Sequence, residues 1–501
     1  MDQAPGSALH RSKLAAAFDR ASARPVAQFA WFLAFALLCR ISVFGDTNYF
    51  ADEYFYFQAG LRLQDGALAY VDVWDRKGPG LFLTYGLIGL FSHSVVAFQV
   101  AATLAAAATA WCVFRIAEHF TSRLGAIIGG TLYLVLIVLF GGGGGQSPVF
   151  YNLAMALAAL GVVKAMPALA QGRVPFGVYA AMALAGFAVT FKQTAACEGA
   201  FLGLLTLWRV HRAGLGLAAL VRRAVGLILA GSAPFLVFGL TYLLLGHFPE
   251  FWDAMVTANL KKVYDPAGDH WSRIAALGKI LLPALLPAVL GAAIARRDDR
   301  DYRGFLAGWL VAAMAGVAIV PNFYEHYLLP LCLPISVAAA AALGRRMIGP
   351  AYGILLIVIL LCAGPALDFG RRAESARAMA DLAAAIRTFD ARPRLFVFEG
   401  PSDLYRQFDA YPPSPLYYPF HLYFPAENNV SRFDTGQAVR GILAWRPTVI
   451  VTYPDLARYD ENPATAPQVH AYIAAHCRQI AAVTILEVYA SHKVDAWGCQ
   501  P

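Results

Sequence analysis

Charge is what this chain has least of. Only 14% of its 501 residues are Asp, Glu, Lys or Arg, against 59% hydrophobic, where a soluble domain carries roughly 25% charged residues. With a mean hydropathy of +0.54, that shortage excludes a water-soluble globular protein and implies an α-helical polytopic membrane protein. Cysteine is also scarce. Five of the seven (Cys39, Cys112, Cys197, Cys332, Cys362) lie in or beside apolar stretches and read as small buried hydrophobes. Cys477 and Cys499 stand in the polar C-terminal region and can pair if that region is exported.

The usual catalytic signatures are missing. There is no HExxH, no CxxC pair or zinc spacing, no GxSxG, and the glycine run 141–145 lacks the Lys-Ser/Thr of a Walker A loop. No metal site is therefore expected. The net charge of +8 does not mark nucleic acid, because Lys and Arg sit in short clusters between apolar runs, where they set topology. No internal repeat is visible, which disfavours an inverted-repeat transporter. His93, His119, His211 and His247 are isolated and read as surface or interfacial.

What is present is a succession of apolar stretches near 26–44, 79–92, 95–114, 124–140, 150–170, 174–191, 195–210, 224–245, 275–294, 304–320, 326–343 and 350–365. The stretch 79–92 is short and opened by Gly78-Pro79-Gly80, so it reads as a juxtamembrane or re-entrant helix. Leaving it out gives about eleven spans and a cytoplasmic N-terminal segment, 1–25. The basic clusters at 209–223, 296–303 and 345–346 then fall inside, as the positive-inside rule requires. The first apolar run lacks a small-residue cleavage site and reads as an uncleaved span.

The transmembrane part covers 26–365, with an outer loop over 45–94. From 366 to 501 the composition changes. Apolar runs at 395–398, 448–451 and 483–486 alternate with helical stretches near 401–408, 435–444 and 466–476, which predicts a small external α/β domain. The glycine run 141–145 is expected to form a flexible outer loop.

The polar island at 45–80 is the most informative segment. Clustered acids and bases beside hydrocarbon are expensive and usually mark chemistry. Asp52 and Glu53 open an aromatic helix containing Tyr56, where a carboxylate either deprotonates an acceptor hydroxyl or caps the helix. Asp75-Arg76-Lys77-Gly78-Pro79-Gly80 opens the juxtamembrane helix. Lys77 at such a start either holds a phosphate or snorkels beside Asp75. Lys192-Gln193 offers a phosphate contact or a structural ion pair. In Tyr324-Glu325-His326-Tyr327, the histidine either meets phosphate or a sugar hydroxyl, or belongs to an aromatic belt. The aromatic Tyr417–Leu422 segment either lines an acceptor cleft or packs the domain. The topology collects Asp52, Glu53, Asp75, Lys77, Gln146, Asn152, Lys192, Glu325 and His326 near the external face.

Taken in order, Ala51-Asp52-Glu53-Tyr54-Phe55-Tyr56, Tyr70-Val71-Asp72-Val73-Trp74-Asp75-Arg76-Lys77-Gly78-Pro79, Phe191-Lys192-Gln193-Thr194 and Asn322-Phe323-Tyr324-Glu325-His326-Tyr327 resemble the GT-C superfamily of integral-membrane glycosyltransferases. The likeness is to the group of protein O-mannosyltransferases and lipid A aminoarabinose transferases, bacterial modifiers of lipopolysaccharide and other envelope glycans included. It covers about 26–365 and, more weakly, 395–425. It implies transfer of a sugar from a polyprenyl-phosphate carrier to an envelope glycan, lipid or protein at the outer face of the cytoplasmic (inner) membrane, with no cofactor required. It also implies Asp52 as general base, Glu53 as its orienting partner or acceptor contact, and Lys77 as a phosphate contact. Lys192 and His326 match positions near the carrier phosphate or sugar. Where the family commonly has Lys-Pro-Pro, this chain has Lys77-Gly78-Pro79. Competing readings are a flippase for lipid-linked glycans, which would bury ionisable groups at mid-span, and a glycan polymerase or ligase, which would place its polar loop late.

Overall fold

The computed structural model describes residues 24–261, 270–295, 300–345, 347–454 and 461–500. The expected cytoplasmic segment 1–25 falls almost wholly outside them, as do Lys262, Arg296, Arg297 and Arg346. The chain is helical and polytopic. Among the described residues, five helices are long and apolar enough to cross a membrane: Val95–Ala117, Ser147–Leu169, Leu217–Leu244, His270–Ile294 and Glu325–Leu343. Shorter apolar helices include Pro25–Arg40, Arg123–Leu139, Phe176–Val189, Tyr302–Ala318 and Ile348–Ala363, and Ala196–Arg212 completes the predicted set.

The helix Pro79–Gly89 has 11 residues. At about 1.5 Å per residue it spans little more than half of a ~30 Å hydrocarbon core. Proline at its first position supplies the φ a helix start needs. It packs against a second outer-loop helix, Ala51–Gln64, at a contact made by two glycines: a Cβ on Gly60 would lie 2.6 Å from the Gly86 nitrogen. The two helices together form a floor of buried aromatic side chains, in which Tyr85 meets Tyr56 and Phe57, and Phe98 of the helix Val95–Ala117 packs on Phe57 and Tyr85.

The glycine run is not the flexible loop its composition predicts. All five residues 141–145 are buried, and the Arg40 guanidinium donates to the Gly142 and Gly144 carbonyls. Tyr85 donates to the Gly145 carbonyl. Side chains would not fit: a Cβ at Gly144 would meet the Glu53 carboxylate at 2.0 Å, and one at Gly143 the Tyr49 hydroxyl at 2.3 Å. Glycine serves close approach here.

Beyond the spans, the helix Phe369–Phe389 leads into a four-stranded sheet of order β1-β2-β4-β3. Strands β1 (Leu395–Val397) and β2 (Val449–Thr452) are parallel and wholly buried, which is why they read as unbroken apolar runs. Strands β3 (Cys477–Leu486) and β4 (Ser491–Cys499) form an antiparallel hairpin, with β4 also antiparallel to β2. Cys477 and Cys499 pair across it as a disulfide. This part sits on the outer loop. Trp74 donates its backbone N–H to Pro415 O (3.1 Å), Gln58 its side-chain amide to Ser402 O (2.6 Å), and Arg371 meets Asp46 at 2.7 Å.

Candidate active site

Asp52 and Glu53 occupy the first turn of Ala51–Gln64. Neighbours on a helix point about 100° apart, and here the two carboxylates part company. Asp52 faces a cavity of about 520 Å³. Glu53 is fully buried and turned the other way, accepting the Gly145 backbone N–H. Burial pushes its carboxyl well above the usual range, against the pull of that amide and of Arg40. The expected role of Glu53 as partner of Asp52 or acceptor contact has no geometry behind it, because Glu53 is absent from the cavity wall.

The other expected residues do meet. Asp52, Tyr56, Asp75, Arg76, Lys77 and Lys192 line the cavity. So do Gln193, Tyr324, Glu325 and His326. Four segments far apart in sequence thus share one space between the spans and the C-terminal part.

Backbone geometry brings two of the lysines together. Gly78 donates its N–H to Phe191 O (3.2 Å) and Gly80 donates to Thr190 O (3.1 Å). The loop bearing Lys77 is therefore hooked onto the turn that precedes Lys192. A Cβ at residue 78 would lie 1.8 Å from the Thr190 carbonyl oxygen, so the departure from Lys-Pro-Pro has a steric cause. Gln193 adds a side-chain bond to Arg76 O (3.4 Å). The Lys77 ammonium lies 3.9 Å from Asp75 and 5.2 Å above the Tyr56 ring, and that of Lys192 is 4.3 Å above the Tyr327 ring. The Arg273 guanidinium, on the same wall, lies 5.1 Å from the centre of the Tyr324 ring.

Asp52 is charged by its surroundings. Burial pushes its carboxyl up, but Lys77, His326 and a 2.7 Å hydrogen bond donated by Tyr418 together outweigh that and hold it below the usual range. Tyr418 comes from the C-terminal part, and its ring stacks on Phe55 at 4.3 Å. Behind it lies a buried charge network. Arg76 meets Glu427 at 2.6 Å, and His421 stands 3.7 Å from Asp75 and 3.4 Å from Glu427. Burial lowers the His421 imidazole, but the two carboxylates win and raise it. Burial likewise opposes ionisation of Asp75, yet Lys77 and His421 hold it well below the carboxylate range. Sequence reasoning missed Arg273, Glu427 and the roles of Tyr418 and His421. The aromatic run at 417–422 was the only signal for the last two.

Neither a protein-family model nor a curated protein sequence matches the chain. Solved structures do. ArnT from Cupriavidus metallidurans bound to undecaprenyl phosphate aligns with a TM-score of 0.59 at 16% identity, over 93% of this chain and 97% of that one. Its apo form gives 0.59 at 15% identity over the same shares. The apo oligosaccharyltransferase of Archaeoglobus fulgidus aligns with a TM-score of 0.50 at 12% identity, over 86% of this chain and 70% of that one.

The chain has the fold of ArnT. Near-complete two-way coverage of ArnT extends that fold through the C-terminal sheet as well as the spans. In this fold the cavity lies where the outer-loop helices, the 190s turn, the 322–327 loop and the sheet part converge.

Proposed function

We propose that this protein is a membrane glycosyltransferase that moves a sugar from a polyprenyl-phosphate carrier to an acceptor hydroxyl. The observation that carries this reading is one cavity lined by the Asp52 carboxylate together with Lys77 and Lys192. ArnT, which shares the fold, binds undecaprenyl phosphate, and a donor of that kind suits a cationic pocket between apolar helices. Its tail stays in lipid while its phosphate lies against Lys77, Lys192 and Arg273.

The chemistry is a single displacement. The acceptor oxygen forms its bond to the anomeric carbon as the bond from that carbon to the phosphate oxygen breaks. The phosphate leaves with the electron pair, Lys77 and Lys192 stabilise the charge it gains, and Asp52 takes the acceptor proton. Asp52 begins ionised, which keeps it ready to accept. As donor phosphate draws Lys77 to itself, the cation's hold on Asp52 weakens and the carboxylate becomes more basic. Inversion at the anomeric carbon follows from one displacement.

Charge supports a site at the outer face of the cytoplasmic membrane: Arg209 and Arg212 close the helix Ala196–Arg212, and Arg345 follows the helix Leu329–Leu343, at the ends away from the cavity residues Lys192 and His326. The Cys477–Cys499 disulfide supports an oxidising exterior for 366–501. Transfer to an envelope glycan, lipid or protein is the acceptor range this position allows. Binding of undecaprenyl phosphate to protein in nanodiscs tests the donor half. Lys77→Ala and Lys192→Ala are expected to weaken it roughly tenfold each, the scale of one lost charge-assisted hydrogen bond. Undiminished binding in both variants contradicts this reading.

A further inference from the structure

The cavity has two chemically different sides. Every Lys and Arg on its wall, namely Arg76, Lys77, Lys192 and Arg273, belongs to the membrane part and its loops. The C-terminal part contributes aromatic rings, histidines and carboxylates, with no Lys or Arg among the described lining residues. From Asp52 the rings run outward in sequence: Tyr418 holds Asp52 at 2.7 Å, its ring lies 6.4 Å from Phe420, and Phe420 stacks on Phe424 at 4.6 Å and meets Tyr423 edge-on at 5.9 Å. A second pair, Tyr453 and His492, stacks at 4.7 Å with planes 13° apart. Glu487 is close enough to bear electrostatically on Tyr453. The buried Glu399 fixes the Tyr453 backbone by accepting its N–H at 3.2 Å.

We propose, resting on the transferase reading above, that this aromatic wall is the acceptor subsite and that it takes a neutral, hydroxyl-bearing glycan. A pyranose ring offers an apolar C–H face that packs on an aromatic plane, while its hydroxyls donate to carboxylates such as Glu487 at the rim. A phosphorylated acceptor fits this side poorly. The cations it needs belong to the membrane part and its loops, where the donor phosphate competes for them, and Glu487 and Glu325 repel a second anion. The ring pair Tyr453 and His492 is therefore a specificity device on the acceptor side, built by the C-terminal part and not by the loops that carry the phosphate contacts.

The test uses full-length protein in nanodiscs, radiolabelled undecaprenyl-phosphate hexoses and pentoses, and envelope glycans from a strain lacking this protein. The glycans are offered before and after phosphate groups are stripped with aqueous hydrofluoric acid. The expected result is equal transfer to both fractions. Tyr453→Ala should raise the acceptor KM at least tenfold, leaving the donor KM and undecaprenyl phosphate binding at wild-type values, and Tyr453→Phe should restore wild-type behaviour. Transfer lost on phosphate removal, label delivered to protein, or an acceptor KM unmoved in Tyr453→Ala overturns the proposal while the transferase reading stands. The wild-type arm needs no variant to fold. A wild-type protein that neither binds undecaprenyl phosphate nor discharges any donor fails at the earlier step, and the acceptor subsite falls with it.

Discussion

Tyr418 and Asp52 are 366 positions apart in the chain and meet through a 2.7 Å hydrogen bond, the phenol donating to Oδ1. The contact ties the C-terminal part to the first outer-loop helix at the carboxylate proposed to carry the chemistry. It also lowers the affinity of Asp52 for a proton.

Removing that bond has a signed consequence. In Tyr418→Phe the carboxylate loses a partner that favours its charged form, so its pKa rises. Activity that needs ionised Asp52 is lost as pH falls through that pKa. The acid limb of the kcat/KM profile should therefore move to higher pH, with turnover down roughly 10- to 100-fold, the range of a hydrogen bond to a charged group. An acid limb that does not move separates Tyr418 from Asp52.

Gly78→Pro introduces the Lys-Pro-Pro pattern of the glycosyltransferases this chain resembles, and the structure predicts that it does harm. Proline lacks the N–H that Gly78 gives to Phe191 O, and any carbon at the Cβ position collides with the Thr190 carbonyl. Unhooking the Lys77 loop from the Lys192 turn should abolish transfer and weaken undecaprenyl phosphate binding in the same variant. Wild-type binding by Gly78→Pro would show that the two lysines do not depend on this contact.

Glu53→Gln should behave unlike any change at Asp52. Burial favours the neutral form of Glu53, so an uncharged side chain of the same shape is tolerated, with transfer within roughly threefold of wild type. Because the folded protein penalises its ionisation, stability is lost as pH rises past the ordinary carboxylate range, and glutamine removes that loss. Glu53→Ala, by contrast, leaves the Gly145 N–H without its acceptor, at about 1–3 kcal/mol. Thermal unfolding of both variants between mildly acidic and alkaline pH checks this.

The network of Arg76, Glu427, His421 and Asp75 predicts a window on the other side of neutrality. His421 has a raised pKa, so the stability it contributes is fully present below about 6.5, the ordinary histidine value, and is lost as pH rises through the higher folded value. His421→Gln should flatten the alkaline fall in thermal stability. Glu427→Gln strips a buried arginine of its partner and should cost roughly 3–5 kcal/mol.

Much of this architecture was legible because it is written in composition. Runs of Ala, Leu and Val long enough to span became helices, and the short 79–92 stretch forms a helix of only 11 residues. The four polar motifs shared a face by topology alone, and they line one cavity. What stayed hidden depends on direction and on tertiary partners. Helix geometry says that Asp52 and Glu53 diverge, but nothing in the dipeptide says which of them faces the cavity. The glycine run looked like slack chain, since its packing partners Arg40, Tyr49 and Glu53 come from another segment. Strand β4, Ser-His-Lys-Val-Asp-Ala-Trp-Gly-Cys, carries too many polar residues to read as a strand, and only its pairing with β2 and β3 makes it one. Arg76 and Glu427 were unrelated charges until the fold put them 2.6 Å apart.

The most direct measurement is transfer of radiolabelled sugar from undecaprenyl phosphate by Asp52→Asn, beside wild type, with carrier binding followed in the same preparations. Loss of at least roughly a hundredfold in transfer, the scale of removing a general base, with carrier binding intact is the predicted result. Wild-type transfer by that variant would contradict the assignment of Asp52 and the mechanism built on it.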